Sequence, residues 1–267
     1  MAPAGRNINN TLPVEMIEVI LCTSTGNDEH FMHSGVCRKW DAIIHAYRRR
    51  RGMPAQFQTP IAVGLQTPAL AEWSKVPLSE RSATIAARHG RMETLDWLRG
   101  KGVPLNASVS AAAAKGGHLR LLQWAHANGC PWDEYTCANA ALNGHLAVLH
   151  WARANGCPWN ELTHRYAAEN GHLAVSQWLC VHCCPWDAWT CAAAAWGGHL
   201  AILECLRDNN CPWDVWTCAY AADGGHLAVL QYAHLNGCPW NELTCAYAAR
   251  NGHLAVLQWA RAQGCPE

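Results

Sequence analysis

CPWDEYTCANAALNGHLAVLHWARANG, residues 130–156, reads as two short helices and two turns. Pro131 cannot continue a helix, and Asp133 just after it is a good N-cap, its carboxylate accepting from amides of the first helical turn. The Ala-rich run that follows has high helix propensity and side chains small enough for a neighbouring helix to approach closely. Gly144 stops it, because glycine takes the left-handed conformation without steric cost. A second helix runs through Leu146, Val148, Leu149, Trp151 and Ala152 and ends near Gly156. Its apolar residues lie on more than one face, as expected of a helix sandwiched between neighbours. The unit is helix–turn–helix–loop.

The same unit recurs. Cys-Pro-Trp begins at Cys130, Cys157, Cys184, Cys211 and Cys238, and a last Cys-Pro begins at Cys265, always 27 residues apart. Gly-His recurs at Gly117, Gly144, Gly171, Gly198, Gly225 and Gly252, and Asn160, Asp187, Asp214 and Asn241 repeat the N-cap. Two degenerate copies come first, at Val103-Pro104-Leu105 and at Val76-Pro77-Leu78 with Gly90-Arg91. Seven copies thus fill residues 76–264. A fixed period of this size marks a solenoid, in which each unit buries its apolar faces only against its neighbours. A leucine-rich repeat has a similar period, but it needs an L-x-x-L-x-L pattern and a strand, and the sequence has neither. The expected fold class is all-α.

Composition narrows the function. Half the residues are hydrophobic and Lys plus Arg equals Asp plus Glu at 20 each, so no global attraction for nucleic acid or an anionic membrane is expected. No stretch of about 18 apolar residues is present, and the N-terminus lacks the apolar core of a secretory signal. The fifteen cysteines therefore read as reduced, small apolar residues of a cytoplasmic chain, with the nucleus as the other compartment.

The order Thr, Ala-Ala, Gly-His-Leu, apolar helix and Gly resembles the ankyrin repeat over all of 76–264. Two departures are plain. The period is short of the family's usual length of about 33, and Thr136-Cys137-Ala138-Asn139 stands where the family has T-P-L-H. The shortening implies that the projecting β-turn finger is trimmed to Gly-Cys-Pro-Trp.

Residues 11–51 do not follow the repeat. Thr11-Leu12-Pro13-Val14-Glu15-Met16-Ile17-Glu18-Val19-Ile20-Leu21 places Pro at a helix start and apolar residues at helical spacing after it. Val36-Cys37-Arg38-Lys39-Trp40 then leads into Ile43 and Ile44. The pair is similar to an F-box, the small helical module that docks on the Skp-type adaptor of a cullin ubiquitin ligase. That resemblance makes Leu12, Pro13, Ile17, Ile20, Val36 and Trp40 the adaptor-binding surface. The competing reading is an N-terminal helical cap for the first repeat. Residues 52–75 are too apolar for a free linker and are expected to fold as a decayed hairpin. An F-box followed by short Cys-Pro-Trp repeats resembles the F-box–ankyrin proteins of large DNA viruses infecting amoebae. This family implies that the F-box recruits a host ligase while the repeats choose the target.

The chemistry that fifteen histidines and fifteen cysteines suggest is weakened by the periodicity. Packed helices lie about 8–10 Å apart, so His118, His145, His172, His199, His226 and His253 cannot converge on one ion. For the same reason Cys137, Cys191, Cys218 and Cys245 cannot pair with one another. Cys180-Val181-His182-Cys183-Cys184 breaks the pattern and is the one candidate for a redox or metal role. Arg48–Arg51 reads as a solvated basic helix end or a nuclear localisation patch. Trp132, Trp159, Trp186, Trp213 and Trp240 read as an inter-repeat packing ladder. No phosphate loop, nucleophile elbow or separated carboxylate pair is present, no cofactor is implied, and no catalysis is expected.

Where the copies differ points to a partner surface. The column before the Gly turn reads Arg88, Lys115, Leu142, Glu169, Trp196, Asp223 and Arg250, a range no core position tolerates, and is expected to face solvent. A second column reads Ile85, Ala112, Asn139, Tyr166, Ala193, Tyr220 and Tyr247, and a third contains Tyr135, Leu162, Trp189, Trp216 and Leu243. The seven residues of the first column, with Trp189 and Trp216, are the candidate target-binding residues, because exposed aromatic clusters anchor interfaces. The expected function is a substrate receptor linking a target protein to an SCF-type ligase, and the rival is a scaffold or decoy without ligase recruitment. Residues 238–264 are as apolar as an internal copy, so this hairpin is expected to fray or to be covered by a second chain.

Overall fold

The structure, a computed structural model, describes residues 78–266. The F-box-like segment 11–51, the connecting segment 52–75 and the adaptor-binding candidates Leu12, Pro13, Ile17, Ile20, Val36 and Trp40 lie outside the described residues. Among the described residues there are fourteen helices of nine residues each and no strand. The chain divides into two compact units at Pro104/Leu105. The first contains one hairpin, α1 (Glu80–Arg88) and α2 (Met92–Gly100). The second contains six hairpins: α3 (Ala107–Lys115) and α4 (Leu119–Ala127), α5 (Glu134–Leu142) and α6 (Leu146–Ala154), α7 (Glu161–Glu169) and α8 (Leu173–Val181), α9 (Ala188–Trp196) and α10 (Leu200–Asp208), α11 (Val215–Asp223) and α12 (Leu227–Leu235), α13 (Glu242–Arg250) and α14 (Leu254–Ala262).

The first helix of each Cys-Pro-Trp hairpin starts at the expected cap. Asp133 accepts from the Tyr135 amide at 3.1 Å, and Asn160, Asp214 and Asn241 repeat the bond one unit later each time or more. Asp187 goes further: it caps the Thr190 amide while its own amide donates to the Thr190 hydroxyl. The second helices have no side-chain cap. Their N-cap histidines reach into the preceding hairpin instead.

In the six-hairpin unit the first helices pack on one another more closely than the second helices do. Small residues make this possible: Ala140, Ala141, Ala167, Ala168, Ala194, Ala195, Ala221 and Ala222 have no exposed surface. Leu149, Leu203 and Leu230 of the second helices fill the space behind them.

Three sets of polar contacts then tie hairpin to hairpin. His145, His172, His199, His226 and His253 donate through Nε2 to the carbonyls of Lys115, Leu142, Glu169, Trp196 and Asp223, at 2.9–3.2 Å. Each of those carbonyls belongs to the last residue of a first helix, which has no acceptor role within the helix. The thiols of Cys130, Cys157, Cys184, Cys211, Cys238 and Cys265 donate to the carbonyl of the N-cap residue one hairpin earlier. The third set is the tryptophan ladder. Trp132 and Trp240 stack on His126 and His234, each at 3.9 Å between centroids, while Arg153 and Arg207 lie over Trp159 and Trp213 at 3.9 and 4.1 Å. The ladder tryptophans are half-buried and bridge successive hairpins.

In the last hairpin Ala246 and Ala249 are exposed, whereas their counterparts Ala219 and Ala222 are fully buried. No helix among the described residues is long and apolar enough to cross a membrane.

Candidate functional site

The first helices of the six-hairpin unit present residues at i, i+4 and i+7 on one face. On α9 these are Trp189, Ala193 and Trp196, on α11 Trp216, Tyr220 and Asp223, and on α13 Leu243, Tyr247 and Arg250. Trp189 and Trp196 are 42% and 47% exposed, large fractions for tryptophan. Trp189 stacks on Trp216 at 5.8 Å with an interplanar angle of 22°. Tyr220 packs against both, at 6.0 and 5.7 Å, and continues to Tyr247 at 6.4 Å. The result is a ribbon of aromatic rings running across three hairpins.

Ion pairs fix its edges. Arg250 Nη2 lies 2.8 Å from Asp223 Oδ1, and its guanidinium covers the Tyr247 ring at 4.7 Å. Arg165 Nη2 meets Asp187 Oδ2 at 2.7 Å across the preceding junction. Burial, reinforced by Tyr247 and Asp223, raises the Tyr220 phenol above its ordinary range. Tyr220 is therefore uncharged at neutral pH, and the Arg250–Asp223 and Arg165–Asp187 pairs lie at the ribbon's rim.

The column expected to face solvent does so in part. Arg88, Trp196 and Arg250 are exposed, but Lys115, Leu142, Glu169 and Asp223 are half-buried. The histidine latch binds the end of each first helix, that of Trp196 included, so the latch alone does not set the exposure of the side chain. At Lys115 and Asp223 the side-chain amides of Asn143 and Asn251 also lie against the carbonyl. Arg88 belongs to the one-hairpin unit and is described with it. Trp216 is half-buried through its stack with Trp189. Tyr220 and Tyr247 were not among the candidates, although their spacing of four from Trp216 and Leu243 put them on the same face.

The segment Cys180-Val181-His182-Cys183-Cys184 does not gather its donors. Cys180 and Cys184 are buried, at 8% and 2% exposure, while His182 turns outward onto Trp178 at 4.1 Å. Cys183 is exposed and holds a left-handed backbone, φ 55°, where the other copies mostly have glycine. Among the described residues no group of three or more His, Cys, Asp or Glu is placed to hold a metal ion.

Unlike columns of cysteine do meet. Cys137 lies against Cys157 and Cys218 against Cys238, and the Cys137 and Cys218 thiols are raised well above the ordinary range by that contact and by burial. Cys191 reaches the Cys211 carbonyl at 3.9 Å. His164 occupies the equivalent place in its own hairpin, is fully buried, and burial lowers its imidazole to about 4.

Residues 83–126 match the family model of ankyrin repeats in many copies. The crystal structure of the human ASB11 ankyrin repeat domain is similar, with a TM-score of 0.46 and 14% identity over 58% of this chain and 85% of that one. No curated protein matches the sequence. Ankyrin repeats are protein–protein interaction scaffolds, and the all-helical solenoid described above is ankyrin-like.

Proposed function

We propose that the chain is a non-enzymatic adaptor, a substrate receptor that brings a target protein to an SCF-type ubiquitin ligase. The observation that carries the target half is the aromatic ribbon of Trp189, Trp216, Tyr220 and Tyr247, with Trp196 on the same face. Aromatic side chains supply much contact area with few rotors to freeze, and they dominate binding hot spots. A ribbon of unlike residues on a regular scaffold also suits recognition rather than catalysis, which needs different groups converging at one place. The binding face includes Leu142, Glu169, Asp223 and Arg250 at its rim, with Lys115 extending the same column; Arg88, in the one-hairpin unit, is a further candidate contact.

The ligase half rests on the two F-box-like segments, with Leu12, Pro13, Ile17, Ile20, Val36 and Trp40 meeting the Skp-type adaptor. The chain then works in the cytoplasm, with no nucleic-acid or membrane partner. Titration of the full chain with purified Skp-type adaptor tests this half. Trp40→Ala should weaken binding by about 2 kcal/mol or more, the hot-spot scale. Unchanged affinity, or no binding by the parent chain, would leave a scaffold or decoy without ligase recruitment.

A further inference from the structure

Three columns of the repeat are broken at one junction, between the hairpins α7–α8 and α9–α10. The position that stacks on the ladder tryptophan is His126, Arg153, Arg207 or His234 elsewhere, but Cys180 here. The aromatic position of the second helix is Trp124, Trp151, Trp178, Tyr232 or Trp259 elsewhere, but Cys205 here. The thiol position of the first helix holds His164 instead of cysteine. At two other junctions the first two columns touch: His126 meets Trp151 at 5.8 Å and His234 meets Trp259 at 5.7 Å. Cys180 on α8 and Cys205 on α10 therefore face each other. Cys205 packs against the core that contains Cys180, close enough for its thiol to help raise that of Cys180.

This pair differs from Cys137 with Cys157 and Cys218 with Cys238. In those pairs both thiols are almost wholly buried, whereas Cys205 is half-buried and solvent reaches it. The junction is also poorly satisfied, since His164 Nδ1 and Ser176 Oγ are buried without a hydrogen-bond partner. The tryptophan here, Trp186, has the His164 ring at 5.6 Å instead of a stacked Arg or His from the preceding second helix.

We propose that Cys180 and Cys205 form a redox modification site that closes to an inter-repeat disulfide when a hydroperoxide is present. An accessible thiol beside a second, resolving thiol is the arrangement that captures peroxide. The Cys205 thiolate attacks one peroxide oxygen; the S–O bond forms, the O–O bond breaks, and hydroxide leaves to take up the thiol proton as water. The Cys180 sulfur then attacks the Cys205 sulfenic sulfur. The S–S bond forms, the S–O bond breaks, and the hydroxyl leaves with the Cys180 proton as a second water. Two thiols lose two electrons and one hydrogen peroxide gains them. Cys180 takes the resolving role by position, because it faces Cys205 and His164 Nε2 stands 3.9 Å from its sulfur, placed to take up its proton. The bond would staple α8 to α10, directly behind the helix that carries Trp189 and Trp196.

The test is mass spectrometry of the full chain after exposure to hydrogen peroxide, denaturing alkylation and digestion. The expected result is a Cys180–Cys205 link that forms before any other, is absent in Cys205→Ser, and is replaced in Cys180→Ser by a sulfenic acid on Cys205 that dimedone traps. Thermal melts of both variants check that the array is folded. The proposal is overturned if exposed Cys183 or a buried pair oxidises first, or if the same link forms as fast in chain unfolded by urea.

Discussion

Gly198 is a position at which a single methyl group should do heavy damage for its size. Its φ is +76°, and a Cβ there would lie 2.5 Å from Nδ1 of His226. That imidazole donates through Nε2 to the Trp196 carbonyl at 3.0 Å. Gly198→Ala therefore imposes two costs. Holding alanine in the left-handed region costs about 1–2 kcal/mol. Displacing the ring breaks the latch, a hydrogen bond worth about 0.5–1.5 kcal/mol more at this exposed carbonyl. Gly156 is the control, with φ +84° and nothing within 4 Å of its would-be Cβ. Only the backbone cost applies there. The chain itself supports the distinction: Cys183 and Asn210 hold left-handed backbones at the column of Gly156, whereas Gly90 to Gly252 keep glycine in every copy of the other. Urea denaturation of the full chain should give a loss for Gly198→Ala of about 1.5–3.5 kcal/mol, against about 1–2 for Gly156→Ala. Amide exchange should show the extra loss centred on the junction of α9–α10 with α11–α12. Equal losses in the two variants would refute the latch as an energetic element.

Two further outcomes follow from burial. His164 is held neutral when folded, at about 4 against 6.5 for the exposed group, so the unfolded chain binds more protons between these values. The stability it contributes is complete above about pH 6.5 and is lost as pH falls towards 4, by about 3 kcal/mol. His164→Cys, which restores the residue of the other hairpins, should lose less stability than the parent between pH 7 and pH 4, read by urea denaturation; an identical loss would contradict this. Trp213→Ala removes a ladder ring stacked by Arg207 and edged by Tyr232, and should lower stability by roughly 2–3 kcal/mol. Trp196→Ala truncates a side chain already 47% exposed and should change the melting temperature little; equal thermal shifts would mean that ladder and face have been confused.

The repeat made the fold legible. A Pro start, an Asp or Asn cap, a Gly turn and an apolar second helix each have a local physical cause, and 27-residue recurrence multiplied the signal. The contacts between hairpins were harder to read, because they do not follow that period. Stacked hairpins are offset, so bonds recur at separations of 20, 24, 28 and 30 residues, as in Cys191 to Cys211, Cys157 to Asp133, Asn143 to Lys115 and His145 to Lys115. Comparing like columns correctly kept the histidines apart, yet it could not bring Cys137 to Cys157 or Cys180 to Cys205. The aromatic face was half legible. Variation before the Gly turn located Trp196, but burial of Lys115, Leu142, Glu169 and Asp223 depends on how far the next hairpin leans over them. Tyr220 and Tyr247 joined the face only once their rings were seen in contact with Trp216 and with each other.

In the proposed function the first-helix aromatic face holds a protein target while a separate surface holds the ligase adaptor. Quantitative affinity capture from cells expressing the full chain tests it most directly, with the parent compared against Trp196→Ala and Leu235→Ala. Leu235 is 78% exposed on the second helix α12, so its change controls for the loss of any exposed apolar side chain. The account predicts that Trp196→Ala loses one captured species that Leu235→Ala retains, with Skp-type adaptor recovered equally by all three. Retention of every species by Trp196→Ala, or the same loss from Leu235→Ala, would contradict it.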